Sequence, residues 1–234
     1  MNLRALTVVS IAVLGTAAFV SPSQAQQASI GSELMTWLSK NFDEVYMRPD
    51  ADLAAYRKVI IDQTKVEFQK GWLKYMNSTR EPRRWITRDD QQQITDDLTA
   101  GMTRVFDDTF KDRGYEIVAA PGPGVLRLSP SVTELFLNAP DVQAANPART
   151  FSVDTADATL VLEARDAVTG TVLARFVDRT TAHELRLINY TSNVSNQFWM
   201  EALSRQWATN SIKEFEAGPN RVRASSASAS TAAK

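Results

Sequence analysis

Residues 71–88 hold Lys74, Arg80, Arg83, Arg84 and Arg88 against one acid, Glu81, a net charge of +4 over 18 residues in a chain whose formal total is −1. Trp72, Tyr75 and Trp85 are interleaved with these cations. Guanidinium and ammonium groups beside aromatic rings suit anionic headgroups, glycans or the acidic surface of a partner protein. Trp72, Tyr75, Arg80, Arg83, Arg84 and Trp85 are therefore the candidate binding residues. The bland alternative is an irregular loop with its arginines in water and its tryptophans pinned to the core.

The other chemistries on offer are weaker. Asp89, Asp90, Asp96, Asp97, Asp107 and Asp108 could do acid–base work or bind calcium, but they fall mostly off the apolar stripe of a helix and read as a solvated face. The spacing of a calcium loop does not occur there. His183, beside Glu184, is the chain's single histidine. It reads as a surface or packed residue, with a general base as the alternative. Pro121-Gly122-Pro123-Gly124 lacks the Lys-Ser/Thr of a phosphate loop, and its prolines remove amide donors, so it reads as a structural turn. There is no cysteine among the 234 residues, so disulfides, zinc thiolates, iron–sulfur clusters and thiol nucleophiles are excluded. Neither a G-x-S-x-G elbow nor a nucleotide motif is present, and no catalytic residue, cofactor or metal is expected. With 26 basic and 27 acidic side chains, the chain lacks the excess of a nucleic-acid-binding domain.

The elements that must position these residues follow from periodicity. An apolar fraction of 44% is enough for a core. Apolar residues at Ile30, Leu34, Trp37, Leu38, Phe42 and Val45, mostly three and four apart, predict a helix over 30–47. Val59, Ile60 and Ile61, followed by Thr64, Val66 and Phe68, predict one strand. Residues 71–88 have no clean period and read as a loop. Thr87-x-x-Asp90 opens a long helix with Ile94, Leu98, Met102, Val105, Phe106 and Thr109 inward, and Gly114 ends it. Gly101 on that face predicts close approach to a sheet. A short strand over 115–118 and a longer one over 125–137 follow, with Pro130 at a bulge or an edge. Residues 138–156 form a long loop of the kind that is functional or mobile. Strands over 157–166 and 172–179 are joined at Thr169-Gly170 as a hairpin. A second strong helix covers 194–216. The expected fold class is α+β, a mostly antiparallel sheet of about five strands with helices packed on one face.

The termini read differently. Arg4, an uncharged apolar run over 5–20, and Ser23-Gln24-Ala25 make the three parts of a secretory signal peptide over 1–25. The run is shorter than the ~20 apolar residues of a membrane span. A helical segment over 26–47, a single domain over 48–218 and a disordered tail over 219–234 complete the expected organisation. Asn77, Asn189 and Asn193 open glycosylation sequons, which are discounted because the export signal reads as bacterial.

Several stretches together resemble the DUF3313 family: Arg48-Pro49-Asp50-Ala51-Asp52-Leu53, Tyr56-Arg57-Lys58-Val59, Trp72, Gly114-Tyr115-Glu116-Ile117-Val118, residues 121–128, Asp166-x-x-Thr169-Gly170 and Trp207-Ala208. The resemblance implies an exported envelope protein of Gram-negative bacteria. It carries no catalytic or binding residues, because the family is uncharacterised. Many members are predicted lipoproteins, whereas this chain has no cysteine to lipidate, which favours the soluble periplasm. The resulting expectation is a non-catalytic envelope protein that binds a protein partner or an anionic lipid or glycan, with no transmembrane segment after signal cleavage. The alternatives are a carboxylate-dependent periplasmic hydrolase and a purely structural envelope component.

Overall fold

The computed structural model describes residues 34–78, 80–137, 156–181 and 196–217. The expectations for the signal peptide, His183, the 138–156 loop save Ala156, the sequons at Asn189 and Asn193, and the tail lie outside them.

Eight strands form one mixed sheet among the described residues: β1 (Met35–Trp37), β2 (Glu44–Met47), β3 (Lys58–Ile61), β4 (Lys65–Phe68), β5 (Glu116–Ile117), β6 (Val125–Phe136), β7 (Asp157–Asp166) and β8 (Val172–Thr181). Their order is β1-β2-β8-β7-β6-β3-β5, with β4 also paired to β6. The half from β1 to β6 is antiparallel, whereas β3 and β4 run parallel to β6 and β5 parallel to β3. The expected α+β class thus holds and most of the pairing is antiparallel, but the sheet is mixed, with parallel pairs at β3, β4 and β5, and has eight described strands where about five were expected. Parallel pairing arises because the helices α1 (Trp72–Asn77) and α2 (Arg88–Asp112) carry the chain across from β4 before β5 and β6 form.

The expected helix over 30–47 is replaced, within the described part, by β1 and β2. In β2, Val45 and Met47 are buried while Glu44 and Tyr46 point away, a period of two. The Ser39 hydroxyl accepts the amides of Asn41 at 2.9 Å and Phe42 at 3.2 Å, a local turn that competes with helix formation. Leu38, on the supposed helical stripe, is 63% exposed. The expected single strand through Val59 and Phe68 is split at residues 62–64. Pro130 stands opposite that gap, where residues 62–64 face only Ser129 and Pro130 of β6, and it pairs with Leu162 of β7; it lies at an irregularity of the pairing and not at a sheet edge. Leu128, two residues earlier, points its carbonyl to the Asp62 amide at 2.8 Å, so the amide that proline lacks would have faced the interruption.

Helix α2 starts as its sequence dictates. Thr87 Oγ1 accepts the Asp90 amide at 3.1 Å and Asp90 Oδ2 accepts the Thr87 amide at 2.8 Å, a reciprocal cap. All six expected inward residues are buried. Gly101 does not serve close packing, since a Cβ there would meet nothing within 4 Å. The hairpin joining β7 and β8 does turn on Gly170, at a φ of 70°.

Helix α3 (Asn196–Glu216) packs along α2 and the sheet, with Trp199, Leu203, Trp207, Ile212 and Phe215 fully buried. The inward positions of β7 are Ala158, Leu160, Leu162 and Ala164, as their alternation predicts. On β8 the inward row runs Ala174, Phe176, Asp178, Thr180, so a carboxylate enters the core. Trp207 Nε1 donates to Asp178 Oδ2 at 2.7 Å, and the Thr180 hydroxyl donates to the same oxygen at 3.0 Å. At the far end of α3, buried Glu214 accepts from Ser39 Oγ and Asn41 Nδ2, both at 2.7 Å. Trp199 Nε1, equally buried, has no partner among the described residues.

That contrast isolates the buried bond. Trp207→Phe and Trp199→Phe remove the same volume, but only the first takes a buried donor away from the Asp178 carboxylate. We expect Trp207→Phe to cost about 1–3 kcal/mol more than Trp199→Phe in denaturant unfolding.

Candidate functional site

The basic and aromatic segment is not a plain loop. Gly71, at a φ of 84°, leads into α1, a short helix that the absence of a clean period concealed. Trp72 and Met76 face the core. Trp72 is 2% exposed, stacks on Phe68 at 4.1 Å and donates its indole N–H to the Leu137 carbonyl at 2.8 Å. It therefore anchors the segment and leaves the set of surface contacts.

Asn77 then closes a loop. Its Oδ1 accepts the Ile86 amide at 2.8 Å and its Nδ2 donates to the Ile86 carbonyl at 2.9 Å, while Ile86 is itself buried. One side chain thus pins residues nine apart and forces the intervening chain outward as a compact surface loop. Asn77 and Ile86 were not among the expected site residues. The available signal was an asparagine and an isoleucine bounding a polar stretch.

Within the loop, Pro82–Arg84 forms a 3-10 turn, which Pro82 favours at its first position. The Arg84 amide bonds the Glu81 carbonyl at 2.8 Å. Residues 81–85 are exposed in succession. Trp85 is 52% exposed, and its indole N–H donates to the Arg80 carbonyl at 3.1 Å. Arg83 pairs with Glu81 at 3.0 Å in water, a contact of about 0–1 kcal/mol. Arg84, Arg88 and Lys74 are exposed, and Arg80 is half-buried. Tyr75 is 62% exposed; a bulge at Glu134 shifts the β6 register, and Phe136 meets the Tyr75 ring edge-on at 5.4 Å. Of the six expected residues, Arg83, Arg84 and Trp85 share an exposed turn, Tyr75 is exposed on α1 against Phe136, Arg80 supplies the carbonyl that orients Trp85, and Trp72 is core.

A cleft of about 370 Å³ lies at the other concentration of motif residues, lined by Asp50, Ala51, Asp52, Ala55, Tyr56, Gly124 and Leu173. Its carboxylates serve local structure. Asp52 accepts the Ala54 amide at 3.1 Å, and Asp50 pairs with Arg48 at 3.2 Å, which holds its carboxyl low. Beside the cleft, Asp166 caps the β7–β8 turn through the Thr169 amide at 2.8 Å and accepts the Tyr56 hydroxyl at 3.1 Å. The Thr169 amide does most to hold Asp166 below the ordinary aspartate value, and burial together with Asp166 pushes Tyr56 up. A general acid working at neutral pH needs the opposite shift in its carboxyl. Burial does raise Asp107, on α2, with Asp108 adding to the effect and Lys111 opposing it. A second cleft, of about 450 Å³, follows the outer face of α3 past Glu201, Arg205, Thr209 and Lys213. Among the described residues no group of three or more metal-ligating side chains is placed to hold an ion, and no helix is long and apolar enough to cross a membrane.

This fold is that of an uncharacterised α+β family. The chain belongs to the DUF3313 family, a protein of unknown function, whose profile matches residues 34–211. No curated protein matches it. Among solved structures it is similar to the PelC dodecamer from Paraburkholderia phytofirmans, at 14% identity and a TM-score of 0.37 over 71% of this chain and 94% of that one. It is also similar to a homologue of neuraminyllactose-binding hemagglutinin from Helicobacter pylori, at 11% identity and a TM-score of 0.32 over 68% and 81% of the two chains. At those scores the likeness carries no argument about the site.

The two tryptophans of the segment now separate. Trp72→Ala should cost roughly 3–5 kcal/mol in thermal or urea unfolding, and Trp85→Ala about 1 kcal/mol or less. The cap at Asp166 adds a pH signature. Because its native pKa lies below the ordinary 3.8, its contribution is present above that pH and is lost as pH falls through the native value. Asp166→Asn should lower the urea midpoint at about pH 7, by under about 1 kcal/mol, and the gap to wild type should close on acidification below about pH 4.

Proposed function

We propose that the chain is an exported, non-catalytic envelope protein that works by contact, presenting the turn at Arg83, Arg84 and Trp85, with Tyr75 on the preceding helix, to a protein partner or an anionic ligand. The address at residues 1–25 supports export through a cleaved signal peptide to the periplasm, and the lack of any cysteine supports a chain that is not lipidated. The observation that carries the reading is the state of Trp85: a large ring half in water, its orientation set by the Arg80 carbonyl, beside exposed cations. Aromatic residues and arginine are the side chains that contribute most at contact surfaces. An exposed tryptophan that served only to pin the loop would be redundant here, because Asn77 and Ile86 already do so.

Site-specific photocrosslinking tests this. With p-benzoylphenylalanine in place of Tyr75, Trp85 or Val168, the last an equally exposed control on the β7–β8 turn, cells that naturally make the protein are irradiated. Adducts of any kind, protein, lipid or glycan, should form at positions 75 and 85 above the level at 168. Equal or absent labelling at all three overturns the contact surface.

A further inference from the structure

We infer that the turn docks onto a bilayer surface bearing anionic headgroups; this rests on the contact reading above and names its ligand. Neither described cleft is lined by Tyr75, Arg83, Arg84 or Trp85; Tyr75 is exposed on α1, and the other three stand on a turn whose residues 81–85 are exposed in succession. Such a projection suits an extended flat surface better than a small ligand that must be enclosed.

The chemistry of Trp85 narrows the choice. Its only polar atom, Nε1, is already satisfied by the Arg80 carbonyl. The ring can therefore leave water without stranding a donor, and it offers the outside an apolar wedge with no hydrogen bond to give. The interfacial layer of a bilayer takes up such a ring readily. Tyr75 adds a second ring whose hydroxyl can remain in the headgroup layer. The charges agree with this. Lys74, Arg83, Arg84 and Arg88 are exposed on long stems that can follow the rings down and keep their heads at phosphate level. The segment carries +4 while the chain as a whole is −1, so an anionic leaflet attracts this turn and repels the remainder, which fixes the docking orientation.

The test uses the purified full chain and vesicles of phosphatidylcholine with or without phosphatidylglycerol. The readout is the ratio of partition onto anionic over neutral vesicles, in which the apolar run at residues 5–20 enters equally for every variant. The wild-type ratio should be well above one and should fall towards one with added salt. A cation near an anionic leaflet is worth about fivefold in partition, so R83Q with R84Q together should lower the ratio at least tenfold with an unchanged melting temperature. Trp85→Ala should weaken binding at both low and high salt. In a Trp37→Phe background, which removes the half-buried fifth tryptophan, brominated lipid should quench tryptophan fluorescence, and adding Trp85→Ala should abolish the quenching, because Trp72, Trp199 and Trp207 are buried. A wild-type ratio near one, or quenching that survives Trp85→Ala in the Trp37→Phe background, overturns the inference. If such failure accompanies protein adducts at position 85, the contact reading stands and only the lipid is wrong; if adducts are also absent, both fall.

Discussion

A carboxylate buried under a helix dictates how the two layers of this protein meet. Asp178 points into the core from the middle of β8, where it cannot remain unpaired without a penalty of several kcal/mol. Trp207 and Thr180 supply the donors. Only one rotation and one axial position of α3 bring the indole N–H to that oxygen, so the bond sets the register of helix on sheet. Glu214, two turns further along, makes the same demand on Ser39 and Asn41 and draws the 39–42 turn against the helix end. Phe215 then falls between Phe176 and Phe110, which ties sheet and both long helices into one aromatic contact chain. An all-apolar interface would have supplied comparable burial with less restriction on how the helix slides.

Much of the fold was legible where one element obeyed one period. The inward rows of β7 and β8, the cap and buried face of α2 and the turn at Gly170 all follow from alternation, 3.6-residue spacing or a required positive φ. The failures share a cause. Residues 34–47 place apolar groups at spacings that satisfy a helix, while the Ser39 turn that divides them acts through one hydroxyl that no periodicity contains. Strand direction was equally hidden, although a strand, a 25-residue helix and a further strand in sequence is the order that parallel pairing requires. Asp178 broke no pattern either, since an isolated polar residue at an inward position is visible only once its donor, 29 residues later, is placed beside it.

For the candidate surface, composition located the segment but could not sort its residues. Trp72 and Trp85 have the same side chain and similar neighbours. Their fates diverge because α1 turns Trp72 onto Phe68 and the Leu137 carbonyl, whereas the Asn77–Ile86 clamp pushes Trp85 outward. Both determinants are long-range or conformational, so no local reading separates core ring from contact ring.

The stretches that carry the family resemblance turn out to be scaffold. Trp207 holds Asp178; Trp72 holds Leu137; Asp166 closes the hairpin and receives Tyr56; and Ala167 bonds the Val125 carbonyl at 3.0 Å, next to the Gly124 turn. Each secures a joint between elements that lie far apart in sequence. None of those stretches falls in residues 78–88, where the exposed cations and the outward tryptophan are concentrated. The loop there is fixed at its two ends by Asn77 and Ile86, so its interior can vary in charge and aromatic content at little cost to the joints. The family is one of unknown function and its profile spans the turn as well as the frame, so membership leaves the ligand open. What this chain binds must be argued from Tyr75, Arg83, Arg84 and Trp85 themselves.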